Sequence, residues 1–97
     1  MPEVVYTFQA QSDLMDVGFY SQEKFGTVQR DLYLDGLAAR AIQVAVGVAH
    51  RRDISDIRSG VSMTTYKSHA IYFRELGSDD IEILRILHQS MDAARHL

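Results

Sequence analysis

The chain has 97 residues and a mass of 11.0 kDa, and it contains no cysteine, so we expect one small domain without disulfides or thiolate metal sites. Hydrophobic residues make up 46% and charged residues 24%, which is typical of a globular protein. The longest apolar run, residues 44–49, is too short to span a bilayer, and the N-terminus does not have the pattern of a signal peptide. These features argue against a membrane protein and favour a cytoplasmic one.

The charge of the chain is mildly negative, with a formal net charge of −3. Proteins that bind nucleic acid usually carry an excess of positive charge, because neutralising phosphates supplies much of their affinity. The negative excess lies in residues 1–48, whereas residues 49–97 contain seven residues of each sign. We therefore expect no sequence-specific binding of nucleic acid by the chain alone.

The chain opens with a run of β-branched and aromatic residues at 4–8, which predicts a strand. Helical spacing follows, with Ala10, Leu14 and Val17 among the apolar positions and Phe25 near the end. Gly26 has the position of a C′ glycine, and the next residue, a threonine, is a favourable N-cap. The sequence therefore predicts one helix that ends near residue 25 and a second that begins at once.

The second helix carries the clearest periodicity of the chain. Its apolar stripe consists of Leu34, Leu37, Ala38, Ala41, Val44, Ala45 and Val48. Because the connection between the two helices is so short, we expect them to form an antiparallel hairpin.

The second half of the chain reads as a polar connector at 49–60 followed by three strands at 61–66, 69–75 and 81–87. The last strand is the most hydrophobic and should be central in the sheet. The tail from residue 88 onwards should form one short helical turn around residues 92–94. The whole predicts a single domain at 1–97 of the α+β class, with an N-terminal strand and an antiparallel helical hairpin packed on a small, mainly antiparallel β-sheet.

Motifs of common enzymes are absent from the sequence, including a glycine-rich phosphate loop and a nucleophile elbow. The spacing of the four histidines does not suggest a metal site, and we predict no metal and no cofactor. A metal-free ribonuclease is the enzymatic alternative, since it would need a general base, a general acid and cations. The side chains that could serve it are Arg58, Arg74, Arg85, His69 and His88. The more ordinary explanation is that the strand arginines pair with carboxylates such as Glu75 or Glu82.

Four segments together resemble the ParE toxins of bacterial type II toxin–antitoxin modules. They are Asp56–Val61, Tyr66–Arg74, Ile81–His88 and Met91–Leu97, and the spacing of Asp13, Val17, Tyr20 and Phe25 also resembles that family. The resemblance covers nearly the whole chain. Its most specific parts are the Ile-Leu-His end of the last strand and the Met-Asp-x-x-Arg-His tail.

The resemblance implies the fold given above and a toxin that poisons DNA gyrase by trapping the cleaved DNA complex. It also implies neutralisation by a ParD-like antitoxin in a hetero-oligomer. The related RelE-like toxins, which cut messenger RNA on the ribosome, are the alternative. They typically have an arginine in the region of His69 and a tyrosine near the C-terminus, whereas this chain has no tyrosine after Leu87. A non-toxic member that only binds its partner is a third possibility.

The resemblance and the position at the end of the sheet single out five candidate contacts with the target. They are Arg58, His88, Met91, Asp92 and Arg95, and no residue is assigned a catalytic role. Asp92 and Arg95 could instead form a salt bridge that only pins the tail. For the antitoxin, the candidate contacts are Leu34, Leu37 and Ala41 on the apolar stripe.

Overall fold

The computed structural model describes residues 2–97, which form one five-stranded sheet and two helices. The elements are β1 (Val4–Tyr6), α1 (Phe8–Ala45), β2 (Arg52–Asp53), β3 (Val61–Tyr66), β4 (His69–Glu75), β5 (Ile81–His88) and α2 (Ala93–His96). The strand order is β1-β5-β4-β3-β2; β1 is parallel to β5, and every other pair is antiparallel. The predicted α+β class and the mainly antiparallel sheet are confirmed.

The first strand is shorter than predicted, because Thr7 ends it and caps α1. The Thr7 hydroxyl accepts a hydrogen bond from the amide of Ala10 at 3.0 Å and donates one to the carbonyl oxygen of Leu84 at 2.9 Å. Threonine favours the N-cap position because its side chain can satisfy a free amide of the first turn. Phe8, predicted to end the strand, is instead the first helical residue.

The helical hairpin is confirmed, and Gly26 makes its turn. Gly26 has φ 88° and ψ 175°, a conformation that glycine alone adopts readily, and it divides α1 into arms at residues 8–25 and 27–45. Gly18 lies opposite Leu34, and Gln22 accepts a hydrogen bond from Arg30 at 2.6 Å. Since each pair is evenly spaced about Gly26, the arms run antiparallel.

The hairpin packs on one face of the sheet to form the main core. Its buried members on the hairpin are Ala10, Val17, Leu37, Ala41 and Val44, and on the sheet they are Ile71, Phe73, Ile81, Ile83 and Ile86. The predicted stripe is buried at Leu37, Ala41 and Val44, and Leu34 and Ala45 pack against the same core as partly buried residues, but the prediction is wrong at two positions. Val48 lies beyond the helix and is 75% exposed, and Ala38 is also exposed.

The opposite face of the sheet is covered by the connector and the tail. Here Ile54, Val61, Ala70, Tyr72, Leu84 and Leu87 form a second cluster, against which Ala93 and Leu97 pack. The connector was predicted as loop only, but Arg52 and Asp53 pair with β3 as the two-residue strand β2. The sheet is therefore covered on both faces. β5 lies inside the sheet, as its hydrophobicity indicated, but β4 is the central strand.

A β-bulge in β5 changes which residues face the hairpin. Tyr72 pairs with Arg85 and Phe73 with Ile83, so that Leu84 has no partner opposite it on β4. The residues buried under the hairpin, Ile83 and Ile86, are consequently three positions apart instead of two. The bulge lies immediately before Arg85.

Arg85 joins the hairpin, the sheet and the tail. Its Nε and Nη2 atoms donate to the two carboxylate oxygens of Asp13 at 2.8 and 3.0 Å, and its Nη1 donates to the carbonyl oxygen of His96 at 3.0 Å. The amide of Ile86 also donates to Asp13, at 2.9 Å. Both side chains are largely buried, with exposed fractions of 18% for Arg85 and 11% for Asp13. A bidentate pair in this setting fixes the orientation of both groups.

We expect Asp13→Asn to lower the free energy of unfolding by about 3 kcal/mol, because it leaves a largely buried guanidinium without its counter-ion. The matched control is Glu82→Gln, which breaks the more exposed pair with Arg74 and should cost about 1 kcal/mol or less. Urea titration of both variants measures the two losses. Equal losses would contradict the structural role given to the Asp13 pair.

Candidate functional site

A groove runs between the first arm of α1, the ends of β4 and β5, and the tail. It consists of two adjoining cavities of about 300 and about 420 Å³, both lined by Val17, Tyr20, His69 and His88. The first also contains Ser21, Phe25, Gln29, Tyr33 and Ser68, and the second contains Asp13, Asp16, Arg85, Ile86, Leu87, Met91 and His96. We call it the histidine groove, after His69, His88 and His96.

His69 and His88 meet because the antiparallel register places them opposite each other. His69 begins β4, His88 ends β5, and their ring centroids are 5.4 Å apart at nearly a right angle. The tight turn before His69 is made possible by Lys67, which has a positive φ of 49°. The hydroxyl of Ser90 lies 2.8 Å from Nδ1 of His88. Strand pairing thus places the two imidazole rings next to each other in one wall of the groove.

His69 is held in its neutral form by its surroundings. Burial lowers the pKa of His69, and the neighbouring His88 lowers it further. The Tyr33 hydroxyl lies 2.7 Å from Nδ1 of His69, within hydrogen-bond distance, and it also donates to the carbonyl oxygen of Tyr66 at 3.5 Å. Burial also raises the pKa of the Tyr33 phenol above its usual value.

Two further features belong to the part of the groove that contains Tyr33. The ring of Tyr66 packs edge-on against Tyr33 with centroids 5.3 Å apart. A side chain at Gly36 would overlap the Tyr66 hydroxyl, so this position of the second arm permits the close approach of β3. The ammonium of Lys67 lies over both tyrosine rings, at 6.0 and 5.5 Å from their centroids.

The tail forms the outer lip of the groove. Asp92 caps α2 by accepting a hydrogen bond from the amide of Ala94 at 3.0 Å. Its contact with Arg95 is long, at 3.9 Å, and it stays within one helical turn, so this pair does not pin the tail. The hydrogen bond from Arg85 to His96 and one from Nη1 of Arg58 to the carbonyl oxygen of Leu97, at 3.3 Å, hold the tail instead.

The five predicted target contacts do not form one cluster. His88 and Met91 line the groove. Asp92 and Arg95 lie beside it on the exposed side of the tail, where the Arg95 side chain is 83% exposed. Arg58 lines neither cavity and lies at the end of the tail.

Sequence reasoning missed part of the groove. It assigned no site role to Tyr33 and treated Tyr20 only as part of the family spacing. Tyr20 and Tyr33 come from different arms of the hairpin, and both line the first cavity because the chain folds back at Gly26. The signal that could have found them is the antiparallel pairing of the two arms.

The residues proposed for a ribonuclease are only partly brought together. His69 and His88 are adjacent, but Arg74 pairs with Glu82 at 2.7 Å and Arg85 pairs with Asp13. The ordinary explanation for Arg74 is therefore confirmed, whereas Glu75 pairs with Arg51. Arg85 lines the groove with its guanidinium already satisfied.

Two of the three predicted antitoxin contacts lie in the core of the chain itself. Leu37 and Ala41 are each 1% exposed, because the stripe that was expected to meet a partner packs on the chain's own sheet. Leu34 is partly buried and lines a separate cleft of about 310 Å³ on the outside of the hairpin, next to Met15, Gly18 and Phe19. Met15 and Phe19 are each 63% exposed.

Within residues 2–97, no three histidine, aspartate or glutamate side chains are grouped so that they could hold a metal ion. No helix in the same part of the chain has the length and apolar character needed to cross a membrane.

Comparison with known proteins gives a consistent result. A family model described as the ParE toxin of the type II toxin–antitoxin system parDE matches residues 4–93. Toxin ParE1 of Caulobacter vibrioides is 32% identical over 89 residues, which cover 92% of this chain and 91% of that toxin. Toxin ParE1 of Mycobacterium tuberculosis is 30% identical over 88 residues, covering 91% and 90%. A solved chain of the chromosomal ParDE TA system from P. aeruginosa has a similar fold, with a TM-score of 0.72, 22% identity, and coverage of 91% of this chain and 96% of that one.

The lowered pKa of His69 predicts that stability falls on mild acidification. The unfolded chain, with a histidine pKa near 6.5, takes up this proton first, so the stabilising contribution is present above about pH 6.5 and is lost as the pH falls. We expect the free energy of unfolding to fall more steeply from pH 7.5 to 5.5 in the wild-type chain than in His69→Gln. Urea titration across this range measures both slopes, and the variant at pH 7.5 reports the loss of the contacts that the neutral ring makes with Tyr33 and His88. Parallel slopes would contradict the prediction.

Proposed function

The chain belongs to the ParE toxin family of type II toxin–antitoxin systems, and from this we propose that it poisons DNA gyrase by binding and stabilising the cleaved DNA complex. A ParD-like antitoxin neutralises it in a hetero-oligomer, and both events take place in the cytoplasm. The observation that carries the proposal is the docked tail, which presents a fixed exposed surface beside the histidine groove.

This surface has the composition of a protein contact. Met91 supplies an adaptable apolar side chain that is 39% exposed, and Arg95 supplies a guanidinium on a side chain that is 83% exposed. Methionine and arginine are both enriched at protein interfaces. His88 continues the surface into the groove. A poison that acts by binding needs such a preorganised surface, and it does not need an acid–base centre.

Charge supports a protein target over the ribosome. The chain has a net charge of −3, and several of its arginines are engaged within the domain. A ligand of ribosomal RNA gains most of its affinity from uncommitted positive charge.

One observation favours a second candidate, a ribosome-dependent ribonuclease of the RelE type. His69 and His88 lie side by side in the groove, where one imidazole could accept the proton of a ribose 2′-hydroxyl and the other could protonate the leaving oxygen. The cation best placed to stabilise the phosphate, Arg85, is already neutralised by Asp13. Gyrase therefore stays the first proposal.

For the antitoxin we propose a contact on the outer side of the hairpin. The cleft beside Leu34 is flanked by Met15 and Phe19, which are each 63% exposed. Such a concentration of exposed apolar side chains on a small domain marks an interaction surface. This surface replaces the buried Leu37 and Ala41 of the sequence-based prediction.

The gyrase proposal predicts that Arg95→Ala raises the half-inhibitory concentration in a gyrase supercoiling assay by about tenfold, as loss of an arginine contact at an interface does. Arg52→Ala is the matched control, because Arg52 is also exposed but lies on β2. We expect the control to inhibit like the wild-type chain, with cleaved DNA accumulating in both.

The same preparations are added to a translating extract. Codon-specific cuts in messenger RNA with gyrase unaffected would refute the gyrase proposal and favour the RelE-type activity. Inactivity in both assays would favour a non-toxic member that only binds its partner.

The antitoxin proposal predicts opposite effects for two apolar residues. Phe19→Ser should weaken binding of the antitoxin, taken as the product of an adjacent short reading frame, by about thirtyfold, because exposed aromatic residues commonly dominate such contacts. The stability of the free chain should change by less than about 0.5 kcal/mol. Leu37→Ala should instead cost about 2–5 kcal/mol of stability, since it opens a cavity in the core. Calorimetric titration and urea unfolding measure the two effects; unchanged binding by Phe19→Ser would place the antitoxin elsewhere.

A further inference from the structure

Two arginines hold the end of the tail through its main chain. Nη1 of Arg85 donates to the carbonyl oxygen of His96 at 3.0 Å, and Nη1 of Arg58 donates to the carbonyl oxygen of Leu97 at 3.3 Å. The two donors come from opposite ends of the domain's second half, β5 and the connector. We call this arrangement the arginine clasp, meaning Arg58 and Arg85 together with the carbonyl groups that they bind.

The main chain of Arg58 is itself fixed by the connector. Its amide donates to the carbonyl oxygen of Ile54 at 3.1 Å, and its carbonyl oxygen accepts from the amide of Val61 at 3.2 Å. Ile54 and Val61 are both 2% exposed and belong to the cluster on which Leu97 packs. Arg58 therefore projects from a rigid turn beside the site where the tail docks.

The arginine clasp binds main-chain oxygens of the tail and does not contact the tail's side chains through these hydrogen bonds. Both arginines donate to carbonyl oxygens, which sets the position of the tail and makes no use of its side chains. Ala93 and Leu97 face the sheet, whereas Met91 and Arg95 remain exposed. The elements that hold the tail are thus separate from those that it presents.

We infer that Arg58 is a positioning residue, which holds the tail in the conformation that presents Met91 and Arg95, and is not itself a contact with the target. This inference rests on the proposed function, because the target surface is the one proposed above. Arg85 has the same role, but its pairing with Asp13 also supports the fold. A substitution of Arg58 can therefore test the positioning of the tail without breaking the ion pair that supports the fold.

The test compares Arg58→Gln, Arg58→Lys and the charge-matched control Arg52→Gln in the full chain. One readout is the NMR order parameter of the amides at residues 93–97, and the other is the half-inhibitory concentration against gyrase. In Arg58→Gln we expect the order parameters to fall from about 0.85 to below about 0.6. Inhibition should weaken by about fivefold, as expected for the loss of one hydrogen bond. Arg58→Lys should restore most of both, and Arg52→Gln should change neither.

Each other outcome overturns the inference in a defined way. Weaker inhibition with an ordered tail would make Arg58 a direct contact. A disordered tail with full inhibition would show that the position of the tail does not matter to the target, and no change in either readout would show that the clasp is not needed. If the wild-type chain fails to inhibit gyrase, the proposed function fails. The order parameters of Arg58→Gln then decide by themselves whether Arg58 holds the tail.

Discussion

The ion pair between Asp13 and Arg85 is the interaction on which the rest of the structure depends. It ties the first helical arm to the strand β5 just after the bulge, and the third donor of the same guanidinium reaches the tail. A lysine could not replace this arginine, because a single ammonium does not provide a planar fork with a further donor. The pair also defines the groove, since both residues lie on its wall. One contact between residues 72 positions apart thus couples the hairpin, the sheet and the candidate target surface.

The two faces of the sheet have different consequences for function. The hairpin packs on one face and forms the main core there. Its apolar stripe is buried in this core and is not available to a partner. The other face is covered by less material, namely the connector and the last residues of the tail. A tail with few apolar contacts depends on hydrogen bonds for its position. The surface proposed to meet gyrase is therefore set by a small number of polar contacts with main-chain atoms.

The hairpin presents apolar residues on both sides, and its two sides have distinct roles. The inner side is buried on the sheet, whereas the outer side leaves Met15 and Phe19 exposed at a cleft. Gly18 lies opposite Leu34 at the base of this cleft, and Gly26 reverses the chain at its end. The domain thus has two candidate interaction surfaces, one on the hairpin for the antitoxin and one at the tail for the target. They share the first helical arm, so a ligand on one is in contact with an element that lines the other.

The sequence by itself determined the class of fold, the hairpin turn at Gly26, the three long strands and the helical turn of the tail. Each of these follows from local signals: periodicity, a glycine between two helical patterns, and runs of β-branched residues. The family was also readable, because its motifs are contiguous segments. Tertiary structure decided which distant residues pack together, because local signals contain no information about such contacts. Leu37 looked like a partner contact until the sheet buried it, and Arg58 is joined to the end of the tail by a hydrogen bond that no local pattern indicates. His69 and His88 became neighbours through strand register, and Tyr33 joined them through the hairpin. These outcomes depend on which distant segments pack together, and a pattern along the chain does not specify the partner of each exposed or buried face.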